Sequence, residues 1–333
     1  MNTQNGLVGI ERLSQGDFIR TPIGPRQVLA HESTDLKPVV SIHLSNGIVL
    51  RCSPDHKLRS KGEWKAASGL RVGDPVYMSF REGLFGQSLV LDIARTASYQ
   101  TRKSPILPKE WSVELAELVG YSMADGHLAR SNYNNKPANL VLAFSWDEEN
   151  LIQHFAAIIV QLFGKAPTRR ITRTCPTLEV SGVDICGLFE QLGAGGSSKS
   201  IRVPPSLSAA PEAVVAGFLR GYFEGDGTAS ENLSVKSVSR EMLEGVYHLL
   251  TLFGIPSAIR EGSADPRGYA PRYTLFILGD RSKRMFRDRI HFISARKRVH
   301  LDALVSRQSA KSSAESFAIP DPREILGMKQ SLY

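Results

Sequence analysis

The chain has 333 residues, enough to bury substantial cores in more than one domain. It holds no apolar run of the roughly eighteen residues a membrane span needs, and "MNTQNGLVGIERL" lacks the basic and apolar segments of a signal peptide; an intracellular protein of cytoplasm or nucleoid, with no membrane partner, is expected. Cys52, Cys175 and Cys186 are scattered and support neither a disulfide frame nor structural zinc, while the formal net charge of +8 favours a polyanionic partner.

Residues 1–80 carry short β-type runs such as "VVSIHL" and "GIVLRC" between Gly, Pro, Asn and Ser turns, which predicts a small all-β unit. Over 81–112 the pattern weakens and "TRKSPILPKEW" holds two prolines, so a linker or an extension of the β unit is expected. Beyond Ser112 the chain repeats itself at a spacing of 101 residues, from Asp125 in "LVGYSMADGH" to Asp226 in "FLRGYFEGDGT". Each acid is followed by a β-run, a polar turn and an amphipathic helix ending in Leu-Phe-Gly, within 140–164 and 232–254. A hairpin comes next in each, "TRRITRTCPTLEVSG" and "SAIREGSADPRGYAPRYTLFILG", and then a closing helix, "VDICGLFEQLG" or "RSKRMFRDRIHFI". The prediction is an α+β fold with two αββαββα units, 113–205 and 206–305, and a C-terminal tail over 306–333.

Helices on one face of each sheet leave the other face open, and two open faces side by side form a curved surface for a common partner. Arg169, Arg170 and Arg173 lie in the first hairpin and Lys236, Arg260 and Arg272 in the second unit, although strand alternation puts only some of them on the open face. The run "RSKRMFRDRIHFISARKRVH", which includes Lys283 and Arg284, adds further positive charge.

Each repeat acid stands directly before a helix-ending glycine, where the helix carbonyls concentrate negative charge and a carboxylate is disfavoured without a cation opposite. Gly120 with Ala124, and Gly221 with Gly225, are small residues four apart that let two backbones approach. The motif helices are therefore expected to pack on each other and bring Asp125 and Asp226 together. Two close carboxylates repel unless a cation lies between them, and hard oxygen ligands of this charge suit Mg²⁺.

"LVGYSMADG" and "LRGYFEGDG", with their matching downstream elements, resemble the signature helices of LAGLIDADG homing endonucleases in single-chain, two-motif form, over about 113–305. The resemblance implies a DNA-binding saddle of two pseudo-symmetric units. It also implies Asp125 and Asp226 as catalytic metal ligands, helped by the carbonyls of Ala124 and Gly225, and one lysine per site. "SSKSIRVPPSL" points to Lys199 and "HFISARKRVHL" to Lys297. The implied reaction is hydrolysis of one phosphodiester per strand of a long double-stranded DNA site. It uses Mg²⁺, for which Mn²⁺ or Ca²⁺ substitutes in binding, and leaves 3′ overhangs. A monomer is implied; a non-cleaving maturase or regulator on the same scaffold is the alternative.

"GLVGIERLSQGDFIRTPIGPRQVLA" and "SNGIVLRCSPDHKLRSKGEWKAASGLRVGDPV" resemble the N-terminal half of the Hint module of inteins, with Ser53 and His56 of "SPDHKL" at that family's TxxH block. In inteins that His assists an acyl shift at an initial Cys. Here the chain begins Met1-Asn2 and "ILGMKQSLY" holds no His-Asn pair, so Ser53 and His56 are expected to be relics. Part of a protein-splicing intein is the further alternative. Cations of the unit, among them Arg20, Arg26 and Lys57, are candidates for contacting DNA beside the cut site.

Overall fold

A computed structural model describes residues 1–307 except 22, 34–35, 81, 92, 94–104, 132–135, 196 and 264–270. The expected C-terminal tail lies outside the described residues apart from its first two positions. No helix among the described residues is long and apolar enough to cross a membrane.

The first repeat runs α1 (Val113–Asp125), β1 (Gly126–Arg130), β2 (Pro137–Ala143), α2 (Glu149–Phe163), β3 (Thr168–Ile171), β4 (Pro176–Ser181) and α3 (Val183–Gln191). The second runs α4 (Glu212–Asp226), β5 (Gly227–Ala229), β6 (Leu233–Ser237), α5 (Arg240–Leu252), β7 (Ser257–Glu261), β8 (Tyr273–Ile277) and α6 (Asp280–Arg289), and a further helix, α7 (Ala295–Ser306), follows. Local chemistry sets the boundaries. The Ser112 side chain accepts from the Leu115 amide, Ser239 from Met242 and Ser294 from Lys297, so α1, α5 and α7 each start at a serine that satisfies an orphan donor. Gly164 closes α2 at φ +61°, in the left-handed region that favours glycine.

Both sheets are antiparallel with the same strand order, β3-β4-β2-β1 and β7-β8-β6-β5. Alternation gives each one apolar face. Leu140, Leu142, Leu178 and Val180 point inward in the first, as do Leu233, Val235, Leu275 and Ile277 in the second, and all are buried. The apolar stripes of α2 (Leu151, Phe155, Ile159) and α5 (Leu243, Val246, Leu250) are buried in the same core.

Helices α1 and α4 pack at backbone contact through the small residues. A Cβ on Gly120 would lie 2.2 Å from the Phe218 carbonyl oxygen, and one on Gly221 would lie 2.0 Å from the Glu117 oxygen. Glu117, 4% exposed, is a carboxylate buried beside this helix pair. Its oxygens bind His154 of α2 and the Arg220 guanidinium, the latter at 2.8 Å, and Arg220 also donates to the Ile290 carbonyl at 2.9 Å. Burial pushes the Glu117 pKa up, yet the hydrogen bonds from His154 and Arg220 hold it below the usual range. One buried charge cluster thus ties α1, α2, α4 and the end of α6 together.

Among the described residues of 1–80 the regular elements are strands and short 3₁₀ pieces, the strands in one four-stranded and two two-stranded sheets. Among the described residues of this region only Leu13, Ile48 and Ala67 are buried hydrophobics, and Ile48 belongs to the core of the repeats. The region leans on the second repeat. Ile259 of β7 donates its amide to the Asn46 carbonyl at 2.8 Å, Arg240 donates to the Gly47 carbonyl at 2.7 Å, and Gly83 donates to Leu252 at 2.7 Å. The described flanks of the expected linker are also packed: Ser88 donates to the Ala209 carbonyl at 3.0 Å, Trp111 Nε1 donates to Ser206 Oγ at 3.1 Å, and Arg289 meets Glu82 at 2.8 Å.

Candidate active site

Helix α1 ends on Asp125 and α4 on Asp226, and each chain passes directly into a strand. The glycines that follow are not left-handed caps: Gly126 has φ −120° and ψ 167°, and Gly227 has φ −86° and ψ 155°. Crowding explains them instead, because a Cβ on Gly126 would lie 2.5 Å from the Ser122 carbonyl oxygen and one on Gly227 2.4 Å from that of Phe223. The two helix ends touch at Ala124 and Gly225. A Cβ on Gly225 would lie 2.4 Å from the Ala124 Cβ and 3.0 Å from Oδ2 of Asp125.

This contact sets the electrostatics of the acids. Burial, and after it the charge of Asp125, pushes Asp226 up to about 7, and Lys297 opposes the rise. Asp125 is raised as well, by burial first and by Glu148, again with Lys297 opposing. Its side chain still reaches water, while Asp226 is half-buried. Two adjacent carboxylates, both raised by burial and each by a neighbouring acid, Asp226 by Asp125 and Asp125 by Glu148, form a site that fits a divalent cation, whose charge would oppose these shifts. Among the described residues no group of three or more His, Cys, Asp and Glu side chains is arranged to hold a metal, so further ligands would come from backbone oxygens, water or phosphate.

A pH dependence follows for the metal-free protein. Native Asp226 holds its proton up to about pH 7, whereas the unfolded chain releases it near 3.8, so its contribution to stability is full below that value and is lost as pH rises through 7. The difference in melting temperature between the parent chain and Asp226→Asn, followed by calorimetry without divalent ions, is expected to grow in favour of the variant over this window. A flat difference would contradict the raised pKa.

Lys297, on the first turn of α7, is the cation that acts on both acids. Its Nζ donates to the carbonyls of Glu224, Gly225 (3.2 Å) and Gly227 (3.0 Å) at the end of α4, so the Gly225 oxygen already has a donor. Burial lowers its pKa, and Glu224, Glu148 and Asp125 oppose this. Lys199 is placed differently. It lies exposed in a turn closed by the Ser200 amide on the Ser197 carbonyl at 2.8 Å, and it is not among the groups that shift either acid.

Cross-strand register sorts the other expected cations, since directly paired residues share a face. Arg169 pairs with Leu178, a core residue, and therefore points to the helix layer, where its guanidinium grips Glu149 of α2 at 2.9 and 2.8 Å. Arg170 is on the open face but is engaged by Glu179 at 2.8 Å, and Arg173 is exposed in the turn between β3 and β4. In the second sheet Lys236 and Arg260 both pair with Thr274, opposite the buried Val235, Leu275 and Ile259. They form an exposed basic row, and Arg260 lies over the Phe276 ring at 5.8 Å. Arg272 is exposed and its carbonyl accepts from the Gly262 amide at 2.7 Å.

Lys283 and Arg284 sit on α6, which packs Phe286 onto Phe223 of α4, so they do not share the open sheet face. Much of the basic run around them is paired within the chain. Lys283 meets Asp280, Arg287 meets Asp288, Arg289 meets Glu82 and Glu212, and Arg296 meets Asp147 and Glu148. The expected pool of cations for a polyanion is smaller by these pairs. His56 is exposed in the turn after Ser53 and gives its carbonyl to the Ala67 amide at 2.8 Å. The Ser53 side chain, followed by Lys37, holds Asp55 down at about 2.

Two central helices that end on paired acids, each flanked by a helix-backed antiparallel sheet, define a mixed α/β module with a two-carboxylate site. Residues 213–291, from α4 into the turn after α6, match the family model described as LAGLIDADG-like domain. The replication factor C small subunit of Methanocaldococcus jannaschii is 27% identical over 78% of this chain and 13% of its own length. Elongation factor 2 of Methanopyrus kandleri is 39% identical over 38% of this chain and 9% of its own length. The chain thus spans a small part of these curated relatives. Structural neighbours include homing endonucleases; I-DmoI in complex with DNA and Ca aligns with a TM-score of 0.45 at 18% identity, covering 57% of this chain and 97% of that one.

Proposed function

We propose that the chain is an intracellular, site-specific DNA endonuclease of cytoplasm or nucleoid that hydrolyses one phosphodiester in each strand, and that it works as a monomer because both motif helices pair within one chain. The observation that carries this reading is the convergence of Asp125 and Asp226 at touching helix ends, with Lys297 beside them. Asp125, Asp226 and the carbonyls of Ala124 and Gly225 would hold Mg²⁺, with Mn²⁺ or Ca²⁺ able to replace it in binding. The ion supplies charge stabilisation at the scissile phosphate and activation of the attacking water. The chain's own part is to offer two carboxylates that would hold the ion, to keep one ammonium beside them, and to fix the duplex by its open sheet faces. A staggered cut with 3′ overhangs belongs to the same reading.

Incubation with Mg²⁺ and a plasmid library carrying randomised inserts, followed by sequencing of the cut ends, tests it. Enrichment of one long sequence cut in both strands supports the endonuclease. Retention of such a sequence without any cut would favour the non-cleaving module instead. The basic row gives a separate expectation: Lys236→Ala and Arg260→Ala should each lower affinity and reduce the salt slope of binding by about one, as fluorescence anisotropy over a salt series would show. Unchanged slopes would remove that row from the interface.

One observation favours a second role. The curated relatives carry unrelated names, a replication factor subunit and a translation factor, yet share with this chain a segment that is a small fraction of each. A segment common to otherwise unrelated proteins behaves as an insert within a host chain, which agrees with the resemblance of residues 1–80 to half of a Hint module. Expression between flanking polypeptides, with mass spectrometry for joined flanks, decides this; unprocessed precursor alone would dismiss splicing.

A further inference from the structure

We propose that Glu224 is a positioning residue whose carboxylate anchors the start of α7 and thereby sets Lys297 on the α4 carbonyls beside Asp226. The importance of that lysine for cutting rests on the endonuclease reading; the positioning itself does not. Glu224 is 2% exposed, and its Oε2 accepts the backbone amides of Ile293 at 2.6 Å and Ser294 at 3.1 Å. These amides lead into the first turn of α7, where Ser294 caps the helix by accepting from the Lys297 amide at 3.4 Å. A carboxylate at a helix N-terminus meets unpaired donors and the positive end of the dipole, so the contact is charge-assisted. Three residues on, Lys297 turns back to donate to the carbonyls of Glu224 itself, Gly225 and Gly227. The chain closes a loop from the Glu224 side chain, through α7, to the Glu224 main chain.

The first repeat supplies an internal comparison. The residue 101 positions before Glu224 is Met123, which offers no acceptor of this kind. In that repeat the candidate lysine, Lys199, stands exposed in a turn with no hydrogen bond or ion pair among the described residues. The carboxylate occurs in the repeat whose own lysine is delivered to the paired acids, and Met stands at the matching position of the repeat whose candidate lysine is not.

The test labels the full metal-free chain with brief pulses of acetic anhydride and reads each lysine by peptide mass spectrometry. Lys199 serves as the exposed reference, and Lys297 should be labelled far more slowly. Glu224→Met copies the residue of the first repeat and fills the same space; it should raise Lys297 labelling roughly tenfold, as expected for loss of a charge-assisted buried contact, and leave Lys199 unchanged. Glu224→Gln keeps an acceptor for both amides and should stay within roughly twofold of the parent. Parent-like protection of Lys297 in Glu224→Met, or equal labelling of the Met and Gln variants, would overturn the proposal. Strand-resolved cleavage by the same variants then reports the consequence: Met slows cutting and Gln restores it. If the parent chain cuts no DNA, the endonuclease reading fails while the labelling result stands by itself.

Discussion

Asp125→Asn and Asp226→Asn are each expected to lower strand cleavage by about a thousandfold or more, since each removes a carboxylate that would hold the divalent ion at the reacting phosphate, while specific DNA binding persists. The amide replaces a carboxylate with little change in shape, so the helix ends at Ala124 and Gly225 stay in contact. The stability effect should run the other way. Asp226 is held near 7 by burial and by Asp125, and at pH 8 the native protein carries a charge that its surroundings disfavour. Removing that charge should raise the melting temperature of metal-free protein at pH 8, a trade of stability for function of the kind seen at strained sites. Quantitative cleavage on the selected sequence, together with melting curves, checks both halves. A variant that retained cutting within tenfold would show that the paired acids are not the catalytic centre.

The second large effect concerns how the pair is built. Gly221→Val should destabilise the fold by about 3 kcal/mol or more, at or beyond the upper end of ordinary overpacking costs. A Cβ there would stand 2.0 Å from the Glu117 carbonyl oxygen and 2.9 Å from the Tyr121 amide nitrogen, and main-chain atoms of a packed helix do not yield as a side-chain tip does. Even Gly221→Ala meets these atoms. Gly187 of α3 is the control, since nothing lies within 4 Å of a Cβ built on it; Gly187→Ala should be neutral or stabilise by about 0.5–1 kcal/mol through helix propensity. Urea denaturation measures both. Equal midpoints for Gly221→Val and Gly187→Ala would mean that α1 and α4 do not approach as closely as their glycines suggest.

Much of this architecture was legible in the residue pattern, because the determinants are local or periodic. Strand alternation, the amphipathic faces of α2 and α5, and small residues four apart on α1 and α4 follow from spacing alone. The pairing of Asp125 with Asp226 was legible for the same reason, through the repeat. What escaped depends on partners distant in the chain. Nothing near Arg169 indicates that Glu149 will take it to the helix layer, and nothing near Lys297 distinguishes it from Lys199. The difference lies at Glu224, visible only when the repeats are aligned and the departure from Met123 is read as a signal. Glu117 carried a comparable sign, an acid within "LAELVGY", but its partners His154 and Arg220 lie on other helices. The terminal glycines end the helices as the pattern suggests, but what requires glycine there, the closeness of the Ser122 and Phe223 carbonyl oxygens, is not visible in the sequence.

The central claim is that Asp125 and Asp226 form one shared divalent site at the touching ends of α1 and α4. The most direct measurement is Mn²⁺ binding to the metal-free chain on its selected DNA, followed by electron paramagnetic resonance, for the parent and the two Asp→Asn variants. A shared site predicts tight Mn²⁺ binding that either single substitution weakens strongly. Mn²⁺ affinity and stoichiometry that were the same in all three proteins would contradict it.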